Sequence, residues 1–78
     1  MKLLLDFGNS RCKWALLDKG QFSDSGAVSY AGDGLQIVAV TPQLPLSEVS
    51  SIHIVSVLGK QLDIQIAEAL ASYEHHFY

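Results

Sequence analysis

A carboxylate, a glycine, two small polar residues and two cations crowd into eight positions near the start of the chain, Asp6-Phe7-Gly8-Asn9-Ser10-Arg11-Cys12-Lys13. The apolar run Leu3-Leu4-Leu5 precedes them, so a strand delivers Asp6 to its end and a tight turn follows at once. Gly8 lets a backbone approach an anion with no Cβ in the way. Asn9 and Ser10 tolerate sharp turns and offer side-chain donors beside their amides, and such clusters of N–H groups suit phosphate oxygens. Lys13 enters on the returning strand, where an ammonium can meet phosphate as a point charge. Asp6 would be repelled by phosphate unless Mg²⁺ sits between them, directly or through water. The same residues also make good hairpin chemistry without any ligand, and the residue types alone leave both readings open.

The elements that must position this loop are readable from pattern. Leu3 to Leu5, closed by turn residues, predicts a strand buried on both faces. Cys12 to Asp18 predicts a second strand with Cys12, Trp14 and Leu16 on one face and Lys13, Ala15 and Leu17 on the other. Asp18-Lys19-Gly20 signals a tight turn, and Gln21 to Ser29 is polar enough for an edge strand. The opening is therefore an antiparallel three-stranded meander. Tyr30 to Gly34 reads as loop, and Leu35 to Thr41 suits a strand as readily as a short buried helix, ended either way by Pro42 and Pro45. Ile52 to Val57, rich in β-branched residues, is the clearest strand. Leu62, Ile66, Ala69, Leu70 and Tyr73 recur at helical spacing, with Asp63, Gln65, Glu68 and Ser72 opposite, which predicts an amphipathic helix from about Lys60 to Tyr73. Phe77 and Tyr78 look like the start of one more strand. The fold class is α/β, an α+β layer with a mixed sheet, in which one helix covers one face and little remains for the other.

Composition excludes several functions. Net charge is −3, which gives no basic footprint for nucleic acid and no attraction to an anionic membrane. The apolar run after Met1-Lys2 ends at Asp6, far short of a signal sequence, and no stretch approaches a membrane span. A single cysteine, Cys12, excludes an intramolecular disulfide. The chain is expected to be soluble and cytoplasmic, with residues 1–78 forming one domain or part of one.

Asp6-x-Gly8-Asn9-Ser10-x-x-Lys13 resembles the opening motif Asp-x-Gly-Asn-[Thr/Ser]-x-x-Lys of type III pantothenate kinases, members of the acetate and sugar kinase/Hsp70/actin superfamily. Ile52-His53-Ile54-Val55-Ser56-Val57 looks like that family's next core strand, which also ends in Ser-Val before a helix. The resemblance implies a ribonuclease-H-like β-β-β-α-β-α arrangement, the N-terminal part of an actin-like ATPase domain, with Leu35 to Thr41 helical. It implies ATP-dependent phosphorylation of pantothenate, the first step of coenzyme A synthesis, by positioning and charge stabilisation. Asp6, Phe7, Gly8, Asn9, Ser10, Arg11, Cys12 and Lys13 would then be the first ATP-phosphate loop, strongest at Asp6, Gly8, Asn9 and Lys13, with Asp6 holding Mg²⁺ through water. A monovalent cation, K⁺ or NH₄⁺, and a homodimer are implied as well. The family's Gly-x-Asp-Arg and Asp-x-Gly-Thr motifs have no counterpart here, so the general base is expected beyond Tyr78, no catalytic residue is assigned, and the 78-residue piece is expected to be inactive alone. The rival readings are another small-molecule kinase of the superfamily and a non-catalytic regulatory or interaction module of the same fold.

The remaining polar residues read more plainly. Glycine-rich motifs of other nucleotide sites are absent. His75 and His76 are adjacent on an extended chain and point to opposite faces, which argues against a shared metal. His53, between Ile52 and Ile54, reads as a satisfied structural histidine. Cys12 reads as a buried, inert thiol, Trp14 as core and Arg11 as surface. Asp63 and Glu68 read as solvated residues on the outer side of the helix.

Overall fold

In a computed structural model, residues 1–30 and 37–78 are described. Strands β1 (Lys2–Phe7), β2 (Arg11–Asp18) and β3 (Gln21–Ser29) form the expected meander. A short helix α1 (Ile37–Val40) runs into a 3₁₀ turn at Thr41–Gln43, and β4 (Ser51–Ser56), α2 (Lys60–Ala69) and β5 (Glu74–Phe77) complete the order. The ambiguous segment is thus helical from Ile37, as the resemblance implies, while positions 31–36 lie outside the described residues. Pro42 does not end all helical structure. It occupies the first turn of the 3₁₀ segment, where its missing N–H costs nothing, and Leu44 goes extended ahead of Pro45.

The five strands make one mixed sheet in the order β3-β2-β1-β4-β5. β1 pairs antiparallel with β2 and parallel with β4, and β5 pairs parallel with β4. β3 is the edge strand its polarity predicts. The β2–β3 turn places Lys19 and Gly20 at φ 52° and 81°, the double positive φ that matches the twist of a two-residue hairpin. This mixed α+β layer is consistent with the N-terminal part of a ribonuclease-H-like, actin-like domain.

One face of the sheet holds the core. Leu3, Leu5 and Phe7 of β1, Cys12 of β2 and Ile52 and Ile54 of β4 are buried there against Val40, Leu44, Ile66 and Leu70. The other face is open among the described residues, and this corrects the expectation that β1 is buried on both sides. Leu4 is only half-buried and Asp6 is exposed, because both helices lie on the core side and nothing described packs opposite. A shallow hollow of about 680 Å³ occupies that face, lined by Leu4, Asp6, Lys13, Ala15, Val55 and neighbouring residues.

The helix after Gly59 is shorter than its periodicity predicts. It ends at Ala69, and two tight turns, Ala71 N–H to Glu68 O at 3.3 Å and Tyr73 N–H to Leu70 O at 2.9 Å, bring the chain back into β5. Leu70 and Tyr73 still pack on the core, so the apolar spacing reports anchoring on both sides of the helix end. Ala69, placed on the inner side by spacing, is exposed. Asp63 departs in the other direction. It is half-buried in the first turn of α2, with Oδ1 sealed from solvent and without a hydrogen-bond partner among the described residues, whereas Glu68 is exposed as expected.

Candidate functional site

The bend between β1 and β2 is built by register. Asp6 lies directly opposite Lys13, and Phe7 opposite Cys12, so Gly8, Asn9, Ser10 and Arg11 close the hairpin. The Gly8 N–H donates to the Arg11 carbonyl at 3.0 Å. Side chains alternate across the sheet, so Phe7 and Cys12 turn into the core while Asp6 and Lys13 share the open face. A carboxylate and an ammonium thus face each other across neighbouring strands at the mouth of the bend, both exposed.

Two features of the bend itself bear on chemistry. Asn9 and Ser10 are exposed, and among the described residues their amides donate to no group. Unpaired N–H groups at a loop tip are normally left to water or to an anion. Gly8 lies outside the left-handed region, and among the described residues a Cβ built on it would meet only the Arg11 carbonyl, at 3.4 Å. Among the described residues neither backbone geometry nor packing demands glycine there. Gly26 makes the contrast: a Cβ there would fall 2.6 Å from the Trp14 ring, so that glycine serves internal packing.

The bend is fastened from behind by Tyr30. Its hydroxyl donates to the Gly8 carbonyl, and its N–H donates to the Ser10 carbonyl at 2.9 Å. Tyr30 is buried, and burial together with the nearby Cys12 and Asp6 pushes its phenol up to about 12. The sequence marks Tyr30 only as the start of a loop. No local signal marks it, since its partners lie 20 or more positions earlier.

The other singled-out residues fall as follows. Cys12 is fully buried, and desolvation pushes its thiol up to about 12, so it is the inert thiol expected. Arg11 is exposed, and Trp14 is half-buried against the core. His53 is structural in its bonding: Nε2 lies 3.1 Å from Ser51 Oγ and Nδ1 lies 2.7 Å from the Tyr78 hydroxyl. It sits half-buried on the open face, stacked against His76, and not within the core. His75 and His76 do point to opposite faces, His76 pairing with Glu74 at 3.2 Å. Among the described residues no three or more His, Cys, Asp or Glu side chains converge on a point, so any divalent ion here would lean on Asp6 and on the ligand's own oxygens.

No protein-family profile matches the chain. Comparison with characterised proteins finds a type III pantothenate kinase from Nitrosococcus oceani, 34% identical over 73 residues, which are 94% of this chain and 27% of that protein. The chain is similar to an N-terminal piece of a type III pantothenate kinase. That finding agrees with the resemblance carried by Asp6 to Lys13 and by Ile52 to Val57. The chain spans about a quarter of the length of the kinase it matches. No helix among the described residues is long and apolar enough to cross a membrane.

Proposed function

We propose that this chain forms the first part of an ATP-dependent kinase that phosphorylates pantothenate, and that its β1–β2 bend is the first phosphate-binding loop. The observation that carries the proposal is the placement of Asp6 and Lys13, opposed on one face at the mouth of a bend whose Asn9 and Ser10 amides are free among the described residues. The matched kinase adds support, since its name states the activity and the match runs through this bend and nearly the whole chain.

Each residue has a role set by its chemistry. The Asn9 and Ser10 amides, with the Ser10 hydroxyl, donate to phosphate oxygens. Lys13 offsets their charge. Asp6 is exposed and free to accept from water around a Mg²⁺ ion, which typically takes one or two carboxylates and keeps several waters beside the phosphates. Bound there, Mg²⁺ supplies neutralisation of the phosphate charge. Phe7 and Cys12 act through their backbone, since their side chains fill the core. No described residue is assigned to pantothenate or to a monovalent cation, and no general base is assigned, so turnover belongs to a whole protein of which this chain is a part. Homodimerisation and a cytoplasmic location go with this reading.

The test is ATP- and Mg²⁺-dependent phosphorylation of pantothenate by the whole protein. Asp6→Asn and Lys13→Ala are each expected to lower kcat/KM for ATP about 100-fold, the scale of losing one preorganised charge contact. Unchanged turnover in both variants contradicts the site. Turnover on a sugar or on acetate, with pantothenate inert, would favour the superfamily alternative.

A further inference from the structure

We infer that Tyr30 is a positioning residue for the phosphate loop, setting the direction of its anion-binding amide from the core side of the sheet. The inference rests on the reading of the bend as a phosphate site and names what holds that site in shape.

A trans peptide is planar, with its C=O and N–H pointing opposite ways, and no cis bonds occur among the described residues. Where the Gly8 carbonyl points therefore decides where the Asn9 N–H points. The Tyr30 hydroxyl takes that carbonyl. Tyr30 follows Val28 by two positions on the side of the sheet where Val28 and Cys12 are buried, so the carbonyl is drawn toward the core side. The Asn9 N–H is thereby turned away from the core, toward the side that carries Asp6 and Lys13. A second bond, Tyr30 N–H to Ser10 O at 2.9 Å, fixes the far end of the same short bend. One residue thus holds the carbonyl that leads into the two-residue tip, from Gly8, and the carbonyl that leads out of it, from Ser10.

Apart from the hairpin-closing bond from the Gly8 N–H to the Arg11 carbonyl at 3.0 Å, nothing else described restrains this loop. Asn9 and Ser10 have no side-chain partners among the described residues, and their φ values are ordinary, so the tip has no conformational lock of its own. A two-residue tip without primed-turn geometry departs from the arrangement that hairpin twist favours. The tyrosine supplies what the turn type does not. It touches no substrate in this role. It acts through Gly8 and Ser10, and burial keeps its phenol protonated, and so a donor, across the working range of pH.

The test compares the whole protein with its Tyr30→Phe variant, which keeps the buried ring and removes the hydroxyl. ATP with Mg²⁺ is titrated into ¹⁵N-labelled protein while the melting temperature is followed. The expected result is a five- to tenfold weaker affinity in Tyr30→Phe, with the Asn9 amide shift on titration reduced. Amide resonances of β4 and α2 should stay in place. A purely structural role would lower the melting point and leave the affinity of the folded fraction unchanged. Affinity within twofold of the parent overturns the inference alone. No binding by the whole protein overturns the phosphate reading and this inference with it. If Tyr30→Phe does not fold, the parent decides: the Tyr30 hydroxyl proton should exchange slowly and cross-relax with Gly8, and a freely exchanging hydroxyl contradicts the proposal.

Discussion

Gly8→Ala separates folding from phosphate binding more cleanly than any other substitution. Among the described residues the added Cβ would meet only the Arg11 carbonyl at 3.4 Å, an ordinary contact, and the backbone is outside the left-handed region. Replacing glycine where its freedom is unused narrows the unfolded ensemble, worth about 0.4–1 kcal/mol in favour of the fold. Mild crowding at Arg11 offsets part of that gain. The expected net is a stabilisation of about 0.5 kcal/mol, or roughly 2–4 °C in Tm for a domain of this size. Phosphate affinity should move the other way. On the phosphate reading, a methyl group at position 8 stands beside the Asn9 amide that an oxygen approaches, and a tenfold loss, about 1.4 kcal/mol, is expected. Thermal melts followed by tyrosine and tryptophan absorbance, with ATP titration by calorimetry, read the two quantities independently. A variant that is destabilised yet binds ATP as the parent does would refute the reasoning, because glycine would then serve the hairpin and not the ligand.

Other expectations follow from the same structure. Gly26→Ala should destabilise, because its Cβ would lie 2.6 to 2.9 Å from three atoms of the Trp14 indole. Overpacking of about 1–3 kcal/mol outweighs the entropic gain, so Tm should fall by roughly 5–15 °C and the fluorescence of the single tryptophan should shift; an unchanged spectrum and melt would contradict that packing. The Cys12 thiol goes from 9.0 to about 12 on folding and the Tyr30 phenol from 10.0 to about 12. The unfolded chain releases those protons first, so stability is complete below pH 9 and declines between pH 9 and 12. Urea midpoints should drop over that range and drop less steeply in Cys12→Ala; a flat profile would show that neither group is desolvated. A disulfide reagent should label Cys12 only after denaturation, and rapid labelling of the native chain would place the thiol at the surface.

What was legible in the sequence is what depends on neighbours along the chain. Alternation showed which face of β2 carries Lys13, and Asp18-Lys19-Gly20 announced the hairpin turn that Lys19 and Gly20 make. The β-branched run gave β4 within a residue of its bounds, and the edge position of β3 followed from its polarity. Contacts between distant positions left no such trace. Tyr30 reaches Gly8 across 22 positions, and a lone aromatic after a strand carries no sign of which carbonyl it will meet. The end of α2 was overestimated because Leu70 and Tyr73 keep helical spacing while packing from turns, so periodicity of burial outlived the helix. Asp63 was placed outside by the same helical wheel, although the sealing of its Oδ1 is set by tertiary packing that the wheel does not contain. Burial of β1 on both faces was inferred from three leucines in a row, yet Leu4 needs a second layer that the described residues do not supply.

Replacing Mg²⁺ by Mn²⁺ alongside ATP gives the most direct check on where the nucleotide's phosphates settle, because the paramagnetic ion broadens amide resonances according to distance. A phosphate seat at the β1–β2 bend predicts that Asp6, Gly8, Asn9 and Ser10 lose intensity first, and that Lys13→Ala raises the nucleotide concentration required. Broadening centred on the His53, His76 and Tyr78 cluster, or spread evenly over the sheet, would contradict it.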